Sequence, residues 1–447
     1  MGAGSCLLRT VVPGRRAHWE TVMRIASSLL AVPVLFASAS SLAQPVTLPW
    51  SLQTQPAVAG TNTIQDVAIW VNPRVPANSL LLTADTQNGL LTYGLDGGAQ
   101  QLYAADGIVS SVDVHEGFPL GTTSQSLVVT ANPSLNGLVA YVIDPTTLTL
   151  RRVSSVMDQA HGYNTVRLYR SPNTGSFFAF AGGQDGTLRQ LQLQAVSDGG
   201  VEATPVRDFG NVGTGLAGAV ADDLAGALYV TRAGQGIFRF AAEPDAGISG
   251  TRVVDPSLLS AQAGRLALYS ASSTDGYLLV ADTGASAFAV FDRRSLASLG
   301  SFRLDQDGGV DAVDAPRALA VYSGPLGSVF PEGLFVAHDA IHAPADNLKL
   351  VSWGAVARAF SPPLRIASQV PPADGGVPGD GGVGDGGVDG GSGGTTQPGG
   401  NGPVGGFPSV PHDDGNGCAC GTTSVPGATL LALLAMAVWG RRRTRQS

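Results

Sequence analysis

Six segments of this chain share one pattern: an apolar run, a polar or glycine-containing turn, and a second apolar run. They are residues 79–95 (SLLLTADTQNGLLTYGL), 126–143, 176–193, 226–240, 276–291 and 333–353. Their starts recur about every 50 residues, the period of radial sheet repeats. A lone hairpin cannot bury both faces of its sheet, whereas a ring of four-stranded blades can. The pattern predicts an all-β chain folded as a six-bladed β-propeller, with function where loops converge at one end of the central channel.

At about 50 residues per blade, six blades need roughly 300 residues. A body spanning 44–365 of the 447 residues meets that requirement. Charged residues make up only 13% and hydrophobic residues 44%, which suits a tightly packed sheet protein. The net charge of −8 gives a nucleic-acid partner no electrostatic support. The three cysteines, Cys6, Cys418 and Cys420, all fall outside the body. The body therefore has no disulfide, no thiolate zinc site and no thiol nucleophile.

Both ends carry targeting patterns. Arg24 precedes an apolar run over 25–37 and the small residues Ser41-Leu42-Ala43, the layout of a secretory signal peptide cut after Ala43. Residues 1–43 are thus read as a leader, with Met23 as an alternative start. Residues 366–417 are rich in Gly, Pro and Asp and nearly devoid of large apolar side chains, so a disordered linker is expected. Residues 418–447 bring Cys418 and Cys420, a short apolar helix over 428–439 and the basic cluster Arg441-Arg442-Arg443-Thr444-Arg445. The basic end would hold the cytoplasmic side of a membrane. This tail resembles the myxobacterial C-terminal sorting signal, which implies a sorting protease acting near Cys418 and Cys420. The expected protein is an exported monomer, at the cell surface or extracellular, touching membrane only through its tail.

The body carries a series of short motifs in order. These are Asp66-Val67-Ala68-Ile69-Trp70, Gly89-Leu90 with Tyr93-Gly94-Leu95, Val112-Asp113-Val114 with Phe118-Pro119-Leu120, and Leu168-Tyr169-Arg170-Ser171. Val220-Ala221-Asp222-Asp223, Val336-Ala337-His338-Asp339 and Asn347-Leu348-Lys349-Leu350 follow. Across some 300 residues the series resembles the β-propeller phytases. The resemblance implies a six-bladed propeller that binds several calcium ions and hydrolyses phytate by attack of a calcium-activated water. Calcium takes oxygen ligands, so clustered carboxylates should surround it.

Set against that family, several expected ligands are changed. The first of two opening aspartates is Gln65, while the second survives as Asp66. The paired lysines of the first hairpin fall on Thr86 and Gln87, and an arginine falls on His115. A lysine becomes Gln184, although the following acid survives as Asp185. Expected acids fall on Ala217, on Arg232 and Ala233, near Ala263 beside Arg265, and on Arg317-Ala318. Asp311 and Asp314 remain from the late acidic loop.

Two readings of the body follow. In the first it is a 3-phytase-like phosphomonoester hydrolase holding fewer calcium ions than the family, with Asp66, Asp339 and Asn347 as calcium ligands. In the second it is a non-catalytic surface propeller that binds a phosphorylated or other anionic molecule, with Asp185, Arg232, Arg265, Arg317 and Lys349 at the binding site, or that binds a partner. Arginine suits the second role because its fork matches phosphate and carboxylate oxygens. His338 and His342, with Asp339 and Asp346, could also form a transition-metal site. No P-loop or HExxH motif occurs, and no Gly-x-Ser-x-Gly stands at a strand-to-helix turn, so no catalytic residue is assigned.

Overall fold

The computed structural model describes residues 44–367, apart from 59, 160, 214–215 and 307–310. The expected leader, nearly all of the linker and the sorting tail, with Ala43, Cys418 and Cys420, lie outside the described residues.

Six antiparallel sheets form the body. From the channel outward, blade 1 comprises Ile64–Trp70, Leu80–Asp85, Gly89–Gly94 and Ala99–Tyr103. Blade 2 comprises Ser111–Leu120, Thr123–Asn132, Gly137–Ile143 and Leu150–Arg152. Blade 3 comprises Tyr163–Arg170, Phe177–Gly183, Thr187–Ala195 and Val201–Asn211. Blade 4 comprises Leu216–Asp222, Ala227–Arg232, Gly236–Ala241 and Thr251–Val254. Blade 5 comprises Ala263–Ser270, Gly276–Asp282, Ala287–Asp292 and Ser298–Leu304, with Val46–Leu48 added in parallel outside it. Blade 6 comprises Leu319–Tyr322, Leu334–Asp339 and Asn347–Ser352, and takes Leu52–Gln53 as its outermost strand.

The six apolar hairpins of the sequence are the second and third strands of each blade. These strands are covered on both sides, so they read as unbroken apolar runs; Leu80–Asp85 is buried at every position. Side chains from neighbouring blades fill the space between them. Trp70 and Leu82 pack with Val128 and Tyr141 between blades 1 and 2, for example. Each such large side chain contributes about 1.5–3 kcal/mol on burial. Under blades 5 and 6 the short helix Trp353–Ala359 begins with Trp353 stacked on Tyr269 at 4.1 Å between centroids. The chain beyond it is tied down as far as Ala367, whose N–H donates to Tyr269 Oη at 2.9 Å.

The ring is closed by the chain's beginning. Leu52–Gln53 pairs with Leu350 and Lys349, which hides the edge that blade 6 would otherwise expose. The Asp346 carboxylate adds a second tie, accepting the N–H groups of Thr63 (2.6 Å) and Ile64 (3.1 Å) at the start of blade 1.

Candidate functional site

Strand pairing places the start of every inner strand at one end of the disc. Ile64 lies opposite Asp85, Ser111 opposite Ala131, and Ala263 opposite Asp282. At this entry end the turns between second and third strands surround the channel.

The registers also show which inner-strand residues share a level. Asp66, Ser111, Thr165 and Gly218 lie opposite Ala84, Ala131, Gly182 and Thr231, one residue before the end of each second strand. Arg265 holds the same level in blade 5, immediately before the Leu266–Val280 pair. Gly218 is required here: a Cβ on it would stand 2.6 Å from the Arg265 Cα, so a larger residue would force blades 4 and 5 apart.

These residues close the channel. Arg167 reaches across from blade 3 and grips both oxygens of Asp66, with Nη1–Oδ2 at 2.7 Å and Nη2–Oδ1 at 3.0 Å. Its Nε donates to the Ala219 carbonyl of blade 4 at 2.7 Å, and Nη1 to that of Val112 in blade 2 at 3.3 Å. Arg265 stands 3.5 Å from Asp66 and donates to the Gln65 and Ser110 carbonyls and to Thr165 Oγ1. Ser111 Oγ donates to Asp66 at 2.5 Å. Asp66, Arg167, Arg265 and Ser111 are all buried, so a salt-bridged plug fills the upper channel. Burial alone would raise the Asp66 pKa, but the charges of Arg167 and Arg265 hold its carboxyl below the usual range. Burial raises the Asp113 carboxyl, against the pull of Arg167, and lowers the Arg265 guanidinium.

Above the plug lies a mouth of about 360 Å³, lined by Gln65, Asn164, Thr165, Gln262, Arg265 and Arg317 among others. Among the described residues, no carboxylate lines it. Arg317 is exposed, and no ion pair engages it among the described residues. The mouth therefore offers guanidinium and uncharged polar groups.

Asp66 departs from its expected role. The sequence pattern places it with Asp339 and Asn347 as a calcium ligand, but both its oxygens are committed to guanidinium and hydroxyl donors. Asp339 ends the second strand of blade 6, the position held by Asp85, Asn132 and Asp282 in blades 1, 2 and 5. Asp85 and Asn132 cap turns by accepting backbone N–H groups, and Asp282 accepts from Ser260 N. Asp339 does the same for Asp314 and Ile341, and burial raises its pKa.

Asp311, Asp339 and His342 form the one grouping among the described residues with metal-ligand spacing. Asp311 and Asp339 offer the hard oxygens calcium takes, and Asn347 Oδ1 is a buried amide oxygen without a partner. The other near neighbours are nitrogens. His342 Nδ1 stands 3.4 Å from Asp311, and the buried Lys349 ammonium stands 2.8 Å from Asp311 and 3.9 Å from Asp339. A calcium ion held by Asp311 and Asp339 would have to displace the Lys349 ammonium from between them.

The remaining expected residues are scattered. Lys349 donates to Gln53 Oε1 at 2.6 Å as well as to Asp311, and packs on Trp50. Asp185 caps its own turn through Thr187. Arg232 lies on the face of Phe238, 3.7 Å from the centroid, outside the mouth lining. The four-residue His/Asp group divides: His338 pairs with Asp346 at 3.0 Å inside the body, while His342 faces Asp311 and Asp339. Of the expected anion-binding residues, only Arg265 and Arg317 meet at the mouth. Sequence reasoning missed Arg167. Its signal was a lone charge within the strand run Thr165-Val166-Arg167-Leu168-Tyr169.

Fold and site together define a six-bladed propeller whose channel is plugged beneath an arginine-bearing mouth. Residues 20–374 match the Phytase family, and the chain belongs to that family. The 3-phytase of Bacillus subtilis (strain 168) is 30% identical over 339 residues, covering 72% of this chain and 87% of that protein. Among solved structures, BBS1N in complex with ARL6DN, soaked with lead, has a TM-score of 0.37 at 12% identity, covering 64% of this chain and 77% of that one. Hydrazine synthase of Kuenenia stuttgartiensis has a TM-score of 0.40 at 11% identity, covering 65% and 83%. Both likenesses are too distant to bear on function.

Proposed function

We propose that this member of the Phytase family recognises a phosphate-bearing small molecule at the entry-end mouth, using guanidinium groups in place of a calcium cluster. The observation that carries this reading is the lining itself. Arg265 and Arg317 share the mouth with uncharged polar side chains, and among the described residues no carboxylate lines it. Asp66 of the plug is neutralised by Arg167 and Arg265. An anion entering the mouth meets positive charge and hydrogen-bond donors, and arginine forks suit phosphate oxygens. A calcium ion would meet the same positive charge.

Titration of the purified protein with phytate in the presence of EDTA tests this. Saturable binding that weakens in Arg317→Gln is expected, and its absence would remove the proposal.

The second reading is turnover of phosphomonoesters, favoured by the 30% identity to a 3-phytase. Calcium-dependent phosphate release from phytate by the same sample, abolished by EDTA, would support it over binding alone. The leader pattern and the cysteine–apolar–arginine tail support placing the protein outside the cytoplasm, held at the surface or released after processing. A cell-fractionation blot against the body tests that placement.

A further inference from the structure

Below the plug the channel opens again into a separate chamber of about 400 Å³ at the opposite, exit end. Its wall has a regular origin. Three residues below the plug level, each inner strand contributes one small or branched apolar side chain: Ile69, Val114, Leu168, Ala221, Leu268 and Val321. All six line the chamber. All but Leu168 are only half-buried, although they sit at the centre of the protein. An apolar ring held partly open to solvent is a surface available to an apolar ligand.

The chamber's charges are unequally available. Arg167 is spent on Asp66, and Arg293 is locked onto Asp222 by Nη2–Oδ1 and Nε–Oδ2 bonds of 2.5 and 2.7 Å, with 4% of its side chain exposed. The reachable groups lie at the rim. The Asp223 side chain is 31% exposed and pairs with His115 at 2.6 Å. The plug isolates this acidic rim from the arginine-bearing mouth above.

We propose that the exit-end chamber is a second ligand site, taking a small amphiphile with a cationic amine head. Its apolar part sits in the six-residue ring and its amine meets Asp223. The site does not depend on the function proposed for the mouth.

Octylamine is the test ligand and octanoate, of equal chain length, its control; binding to the full chain is read by calorimetry. Saturable octylamine binding is expected, with octanoate weaker by about tenfold or more. Leu268→Trp and Ala221→Leu each fill the ring from a different blade. Either variant, once its thermal unfolding shows a folded protein, should lose octylamine binding by about tenfold or more. Asp223→Asn should weaken octylamine, and Arg317→Gln at the mouth should leave octylamine binding unchanged. No saturable octylamine binding would overturn the proposal. So would unaltered binding in both folded ring variants, and equal affinity for octanoate would overturn the cationic head.

Discussion

Arg167 of blade 3 holds both carboxylate oxygens of Asp66 of blade 1 across the channel, at 2.7 and 3.0 Å, with both side chains buried. This pair and Arg265 convert the upper channel of a propeller into a closed partition. Asp66→Asn would leave two guanidinium groups buried against a neutral amide. Removing one partner of a buried pair costs about 3–5 kcal/mol, so the urea midpoint should fall sharply. Because Arg167 and Arg265 hold the folded-state pKa of Asp66 down, its contribution is present above the unfolded carboxyl value and lost as pH falls through the folded value. The midpoint difference between wild type and Asp66→Asn should therefore shrink at strongly acid pH. A difference that stays constant there would show that the carboxylate charge is not what stabilises the plug.

His115 and Asp223 couple the rim of the lower chamber to pH. Burial disfavours the imidazolium, but the bond to Asp223 at 2.6 Å and its charge outweigh this and raise the His115 pKa above 6.5. A raised histidine value means stability that is complete below the unfolded pKa and lost as pH rises through the folded one. The Tm gap between wild type and His115→Gln should be widest in mildly acid solution and close on the alkaline side. A gap that widens with rising pH would reverse the sign and refute the assignment.

Asp346 fastens blade 6 to the entry of blade 1. Its carboxylate accepts the N–H groups of Asn62, Thr63 and Ile64 and pairs with the buried His338. Hydrogen bonds to a charged group are worth about 1.5–3 kcal/mol each, so Asp346→Ala should cost ~3 kcal/mol or more in denaturant unfolding. Asp185→Ala, at an exposed turn cap, should cost about 1 kcal/mol or less. Equal losses in the two variants would show that the latch does not close the ring.

Lys349 occupies the place where a cation would serve Asp311 and Asp339. Lys349→Met leaves the two carboxylates facing each other and should destabilise by about 3 kcal/mol. Calcium can then relieve their repulsion, so the Tm of the variant should rise on adding calcium by more than that of wild type. Thermal unfolding in EDTA and in calcium checks this, and equal shifts in both proteins would contradict it.

The propeller was legible because its signal is local. The second and third strands of each blade lie between covered faces, so the apolar runs at 79–95 and 276–291 mark them directly. The family was legible through short motifs in order, among them Asp66–Trp70 and Asn347–Leu350. The site was legible only in part. Arg265 and Arg317 were singled out and both reach the mouth, but Asp66 was assigned to a metal and Arg167 was overlooked. Nothing along the chain announces that residues 66 and 167, 101 apart in sequence, meet.

The sequence by itself determined the number of blades and the family, because apolar periodicity and short motifs are written along the chain. Which charges cancel emerges on folding, because ring closure brings Asp66, Arg167 and Arg265 of blades 1, 3 and 5 into contact in the channel. Asp66, Arg167 and Arg265 then neutralise one another inside the body. The same closure decided that the channel has two separate compartments, an arginine-bearing mouth and an aliphatic chamber with an acidic rim.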